Sequence, residues 1–180
     1  MELSMTEDNK EIPKLCKALD GLIERIGAII AWLNVVLIGV IILQVVLRYV
    51  FSMGLVVLEE LQWHLYAACI IIGLSYCLVQ DAHIRLDLLH DRFSQRRKEI
   101  IELIGIIFLL IPMTIIIIMH SLPFLAESWR ITEHSDSPVG LPFRFIIKAF
   151  IPLGFGLLGL AGVSRLIRAT VFLITTPKGK

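Results

Sequence analysis

Two adjacent carboxylates, Glu59 and Glu60, stand out in an otherwise apolar chain. Paired acids are a common means of moving a proton between reacting groups. Neighbouring residues on a helix point about 100° apart, however, so this pair is not placed to share one proton. His64 and His120 offer a second chemistry. They fall near the start of one apolar run and near the end of another. Two imidazoles brought to one face of a membrane could ligate a haem iron, the arrangement of a respiratory membrane anchor; each lies within a turn or two of water, however, which favours a plain hydrogen bond to a neighbour near the interface. Arg48 with Glu59 and Glu60, and His83 with Arg85 and Asp87, form two mixed-sign clusters. Such clusters suit ion pairs, within the chain or across a subunit boundary. No Ser/His/Asp or Cys/His arrangement recurs and no glycine-rich phosphate loop is present, so an enzyme is not expected. Cys16, Cys69 and Cys77 are odd in number and lack metal-ligand spacing, and read as packing residues. No cofactor and no metal site is expected.

The elements that must position these groups follow from composition. Of 180 residues, 57% are hydrophobic and 18% charged, with a net charge of +1. A soluble domain of this size cannot hide so much apolar surface. Neither sign of charge dominates, which speaks against a nucleic-acid partner. Charged side chains are absent from residues 26–47, 61–80, 103–126 and 149–164. A hydrocarbon core of about 30 Å takes roughly 20 apolar residues as a helix. Three runs meet that length, and the fourth does if 145–147 join it and Lys148 and Arg165 reach back to the interfaces. The expectation is an all-α integral membrane protein of one domain, residues 1–180, with spans near 26–47, 61–80, 100–122 and 145–167. Thirteen of the 17 Lys and Arg residues then fall on one side, with Arg48, Arg130, Arg144 and Lys148 on the other. That asymmetry predicts both termini in the cytoplasm. Residues 1–25 hold six acids and four bases, which does not suit a cleaved signal peptide.

Between the spans, Ile12, Leu15, Leu19, Leu22, Ile23 and Ile26 recur at helical spacing. They predict an amphipathic N-terminal helix in the cytoplasmic interface, or else a long continuation of the first span; Gly21 and Gly27 mark possible bends. Ser94 is a fair N-cap, and Pro112 predicts a kink in the third span. Gly154, Gly156, Gly159, Ala161 and Gly162 give the fourth span a surface that another helix can approach closely. Tyr49, Phe51, Trp63 and Tyr66 suit the outer interface and Tyr76 the inner one. A self-sufficient carrier needs ionisable groups near mid-membrane. The spans offer Asn34, Gln44, His64 and Ser75 but no central acid, unlike small multidrug exporters, which place a Glu in their first span. That pattern favours a subunit that packs against a larger membrane protein.

One family matches these features in order and spacing. Arg48-Tyr49-Val50-Phe51, Glu59-Glu60-Leu61, Gly73, His83-Ile84-Arg85-Leu86-Asp87, Glu133, the stretch Ser135 to Pro142 (SDSPVGLP), Lys148, Pro152 and Arg165 together resemble the small membrane subunit of tripartite ATP-independent periplasmic (TRAP) transporters, the DctQ-like family. The resemblance covers nearly all of residues 27–170. It implies a large elevator-type membrane subunit as partner, driven by an ion gradient, usually sodium, and a periplasmic binding protein that delivers an organic acid. It implies residence in a bacterial inner membrane, among lipid. The small subunit would brace the static part of the large one. On that view Arg48, Tyr49, Glu59, Glu60, His83, Arg85, Asp87, Gly156 and Gly159 orient helices and partner contacts, and none touches substrate.

Overall fold

A computed structural model describes residues 14–80 and 94–175. All the regular structure in them is helical. Helix α1 spans Lys14–Val50 and α2 spans Val56–Val79. Helix α3 runs over Gln95–Arg130 and α4 over Phe145–Thr175. All four are long and apolar enough to cross a membrane, as the charge-free runs predict. Of the two forms expected for the N-terminal segment, the structure adopts the continuation: α1 passes unbroken through Gly21 and Gly27. Gly27 lies beneath the ring of Tyr76, where any side chain would collide. At about 1.5 Å per residue α1 is about 55 Å long, well beyond a hydrocarbon core of about 30 Å.

Helix α4 is the hub. It packs against α1, α2 and α3; α1 and α2 also pack on each other, while α3 meets little besides α4. The reason lies in the small residues of α4. Gly154, Ala161, Gly162, Ser164 and Ala169 are buried, and without bulky side chains there the backbones come close. A methyl group at Gly154 would strike Ile71 of α2, lying 3.1 Å from its carbonyl oxygen, whereas one at Gly156 would meet nothing. Gly154→Ala is therefore expected to destabilise the subunit by about 1–3 kcal/mol. Gly156→Ala is expected to leave it unchanged or stabilise it by up to about 1 kcal/mol, through helix propensity alone. Thermal unfolding of the two variants in detergent separates them.

Buried positions on α1 include Cys16, Ile23, Leu37 and Gln44, seven or fourteen residues apart, the spacing of a coiled-coil seam. On α3 the buried set is Glu99, Ile106, Thr114, Ser121 and Ser128. Its spacing is seven, except for eight between Ile106 and Thr114. The additional residue is taken up by a π-helical turn at Ile106–Leu110. Pro112 accounts for it: proline has no N–H for the Phe108 carbonyl and its ring crowds that same oxygen, so the helix widens just before it. The deformation expected from Pro112 is thus a π turn on its N-terminal side.

Candidate functional site

Polar side chains gather at the two ends of the helix group, and each end is built from helices that the sequence keeps far apart. At the end away from the chain termini, the connection from α1 to α2 occupies only Phe51–Leu55. This brings the last turns of α1 against the first turns of α2. Glu59 Oε1 lies 3.7 Å from Arg48 Nη1 and accepts a 2.9 Å hydrogen bond from Gln44 Nε2. Gln62 Nε2 in turn donates to Gln44 Oε1 at 2.5 Å. Gln44 is buried, and a buried amide requires such partners. Tyr49 is exposed beside this network.

Glu60 faces elsewhere, as its angular offset from Glu59 demands. Its carboxylate accepts from the Ser135 hydroxyl and, at 2.6 Å, from the Leu141 backbone N–H. It thereby holds the segment linking α3 to α4. That segment also bonds to itself: Ser135 N donates to Leu141 O at 3.2 Å and Arg144 N to Glu133 O at 3.0 Å. Gly140 is pressed against Ser135 and Glu60, where an added Cβ would sit 2.8 Å from Glu60 Oε1. The stretch Ser135 to Pro142 is thus a receptor for the Glu60 carboxylate: a hydroxyl donor, a bare glycine and an amide donor. Helix α3 ends in a Schellman turn, with Thr132 N donating to Trp129 O at 3.1 Å and Glu133 N to Ser128 O at 3.0 Å. Thr132 has φ 48° and Phe143 has φ 64°, left-handed conformations that cost energy in side chains this bulky.

Glu133 pairs with Lys148, and Lys148 lies 3.8 Å from the ring centre of Phe124, a cation–π contact. Arg144 Nη1 reaches Asp136 at 3.1 Å and Glu133 at 3.8 Å. The hydrogen bond from Lys148 is the main reason the Glu133 carboxyl titrates below its ordinary value of 4.5. A carboxyl whose folded pKa is depressed contributes stability above its unfolded pKa and loses it as pH falls through the folded one. Amide protection of residues 133–144 is therefore expected to fall on acidification below about pH 4.5, and Glu133→Gln to show weaker protection already at neutral pH with a shallower acid response. Hydrogen exchange followed from pH 7 to 3 measures both.

At the other end, beside the termini, α1, α3 and α4 share a second network. Arg165 Nε and Nη2 grip the two oxygens of Glu102 at 2.7 Å each, and Nη2 also reaches Glu99 Oε1 at 3.1 Å. Asp20 accepts from the Ser164 hydroxyl at 2.7 Å and lies 3.5 Å from Arg168 Nη1. Glu99 and Arg165 are buried. Cys16 packs in the same place, its Sγ 3.9 Å from the Ser164 carbonyl. Among the described residues no three His, Cys, Asp or Glu side chains converge as a metal site would need. Both networks clamp helices to one another.

A family model describing the DctQ component of tripartite ATP-independent periplasmic transporters matches residues 37–171, three quarters of the chain. This chain is a member of the DctQ family. It is accordingly a transport component and a multi-pass membrane protein, as the resemblance in the sequence implied. Among curated proteins none matches. The matched region takes in all of α2 and α3 and most of α4, so the networks at both ends belong largely to the DctQ region.

Within this DctQ chain the expected site residues are distributed unevenly. Arg48, Glu59 and Glu60 are joined to neighbouring elements as described. Gly159 faces Thr114 of α3, its notional Cβ 3.1 Å from Thr114 Cγ2, and Gly156 faces open space. His83, Arg85 and Asp87 lie outside the described residues. His64 is half-buried on α2 and His120 exposed on α3, helices that each pack on α4 and scarcely on each other. Neither that geometry nor the family favours the haem anchor. Sequence reasoning passed over Asp20, Glu99 and Glu102 as functional residues. The available signals were the three-residue spacing of the two glutamates, which puts them on one face of α3, and Arg165, which interrupts the fourth apolar stretch.

Proposed function

We propose that this chain is the static scaffold of its transporter. It braces the large elevator-type subunit while that subunit moves an organic acid anion, delivered by a periplasmic binding protein and driven by an ion gradient, with sodium the family's usual ion. Both termini lie in the cytoplasm of a bacterial inner membrane, and the Glu60 loop faces the periplasm. The observation that carries the reading is where the polar groups are spent. Arg48, Glu59, Glu60, Glu133, Lys148, Glu99, Glu102 and Arg165 all hold this chain's own elements together, and those contacts lie at the helix ends. The amide side chain displayed near the middle of α1 is Asn34, which is exposed and makes no hydrogen bond among the described residues. An amide in hydrocarbon is costly unless a neighbouring helix satisfies it, which marks this part of α1 as a contact with the partner subunit.

Purification in mild detergent with identification of the associated polypeptides tests the reading. A larger multi-span membrane protein is expected, and a photoreactive residue in place of Asn34 should join the two. Uptake of an organic anion by liposomes holding this chain alone would overturn the scaffold role. Labelling from the periplasmic side of a cysteine placed at the exposed Lys14 would invert the topology.

A further inference from the structure

Helices α2 and α3 lie on separate flanks of α4 without closing on each other, which leaves a cleft of about 390 Å³. Leu78 of α2, Ile106, Leu109 and Met113 of α3, and Phe155 and Leu158 of α4 line it, with Glu102 toward the terminal end. The π turn before Pro112 supplies part of this wall. Lys98 lies one turn before Glu102 on the same face of α3 by its four-residue spacing, and makes no ion pair among the described residues. Read along α3, the face presents a cation, then an acid already held by Arg165, then hydrocarbon. From Glu102 to Met113 the helix rises about 17 Å, close to half of a hydrocarbon core of about 30 Å, the depth of one leaflet.

We infer that this cleft holds one acyl chain of a phospholipid from the leaflet on the side of the termini, with the phosphate at Lys98. The lining selects the occupant. The cleft is walled by aliphatic and aromatic side chains along its length and opens on its outer side, which suits a single extended hydrocarbon chain lying in it. The sequence of charge followed by apolar wall is that of a phospholipid, read from headgroup to tail. Filling the cleft gives α3, which among the described residues leans mainly on α4, a second apolar neighbour. The inference requires only that the four helices cross a membrane, and stands apart from the scaffold assignment.

Gly105 lines the cleft and a side chain there meets nothing within 4 Å, so Gly105→Phe places a ring in the lipid's path. Native mass spectrometry of the full chain, released gently from its host membrane, is expected to show one retained phospholipid on the wild type. At least a tenfold lower retention is expected on Gly105→Phe. Independently, a photoreactive residue replacing Met113, irradiated in intact membranes, should yield a phospholipid adduct. Equal retention by wild type and Gly105→Phe, or an adduct joining position 113 to another polypeptide, overturns the assignment.

Discussion

Arg165→Met is expected to destabilise the subunit by about 3–5 kcal/mol, the cost of stranding buried charges by removing their partner. Among the described residues Arg165 pairs with both Glu99 and Glu102. Those side chains are only 8% and 19% exposed, and Glu99 Oε2 is already buried without a partner. Losing the guanidinium leaves two carboxylates that must either protonate or drag water between α3 and α4. In thermal unfolding the loss corresponds to a drop in Tm on the order of 10 °C for a chain of this size. Arg165→Lys should fall between, because an ammonium cannot reproduce the two-oxygen grip on Glu102. Combining Arg165→Met with Glu99→Leu and Glu102→Leu should recover most of the stability, since exchanging a whole buried ion cluster for apolar residues is often neutral or better. An Arg165→Met chain as stable as wild type, or a triple variant no better than the single, would show that the cluster holds nothing together.

This cluster also shows what the sequence could and could not convey. The four helices were legible because hydrocarbon imposes a minimum apolar length on any span, and the charge-free runs meet it. The family was legible because its short motifs keep their order. Which side faces inward was legible for α4, through its small residues, and not for the other helices. In water an apolar stripe marks the core, but in lipid it need not: of the predicted N-terminal stripe Ile23 is buried but Leu22 is exposed, while Cys16 and Asp20, outside the stripe, turn toward α4. The same ambiguity left the N-terminal segment open between an interfacial helix and a longer first span. Glu99, Glu102 and Arg165 looked like ordinary span-end charges, because their meeting depends on α3 and α4 crossing at a position that hydropathy does not encode. The π turn was half legible. Pro112 announced a deformation, and only the shift from seven to eight in the buried spacing located it.

Glu60→Ala is expected to release the segment between α3 and α4. Amide exchange at Leu141 should quicken on the order of tenfold or more, because that N–H loses its acceptor and the Ser135 hydroxyl loses its own. The Thr132 and Glu133 amides, held by the Schellman turn of α3, should keep their protection, so the effect reads out as a local opening. Glu60→Gln is informative because it preserves shape. Its amide offers one acceptor oxygen where two donors converge, so either Ser135 or Leu141 must face an NH2 group, and exchange should rise to an intermediate rate. Gly140→Ala should reproduce the Glu60→Ala phenotype from the opposite partner, since its methyl group would collide with the Ser135 side chain and crowd Glu60 Oε1, forcing the two apart. The two changes together should then add little to either one, the behaviour of residues that act on a single contact. Glu59→Gln should leave Leu141 unaffected and loosen only the Gln44 and Arg48 contacts at the close of α1. If the scaffold reading holds, loss of the Glu60 anchor also lowers uptake by the assembled transporter while the two membrane subunits still copurify, because α1 and the interior of α4 are untouched. Unchanged Leu141 exchange in Glu60→Ala would show that the loop is held by its own internal hydrogen bonds, and the importance assigned to this carboxylate would go with it.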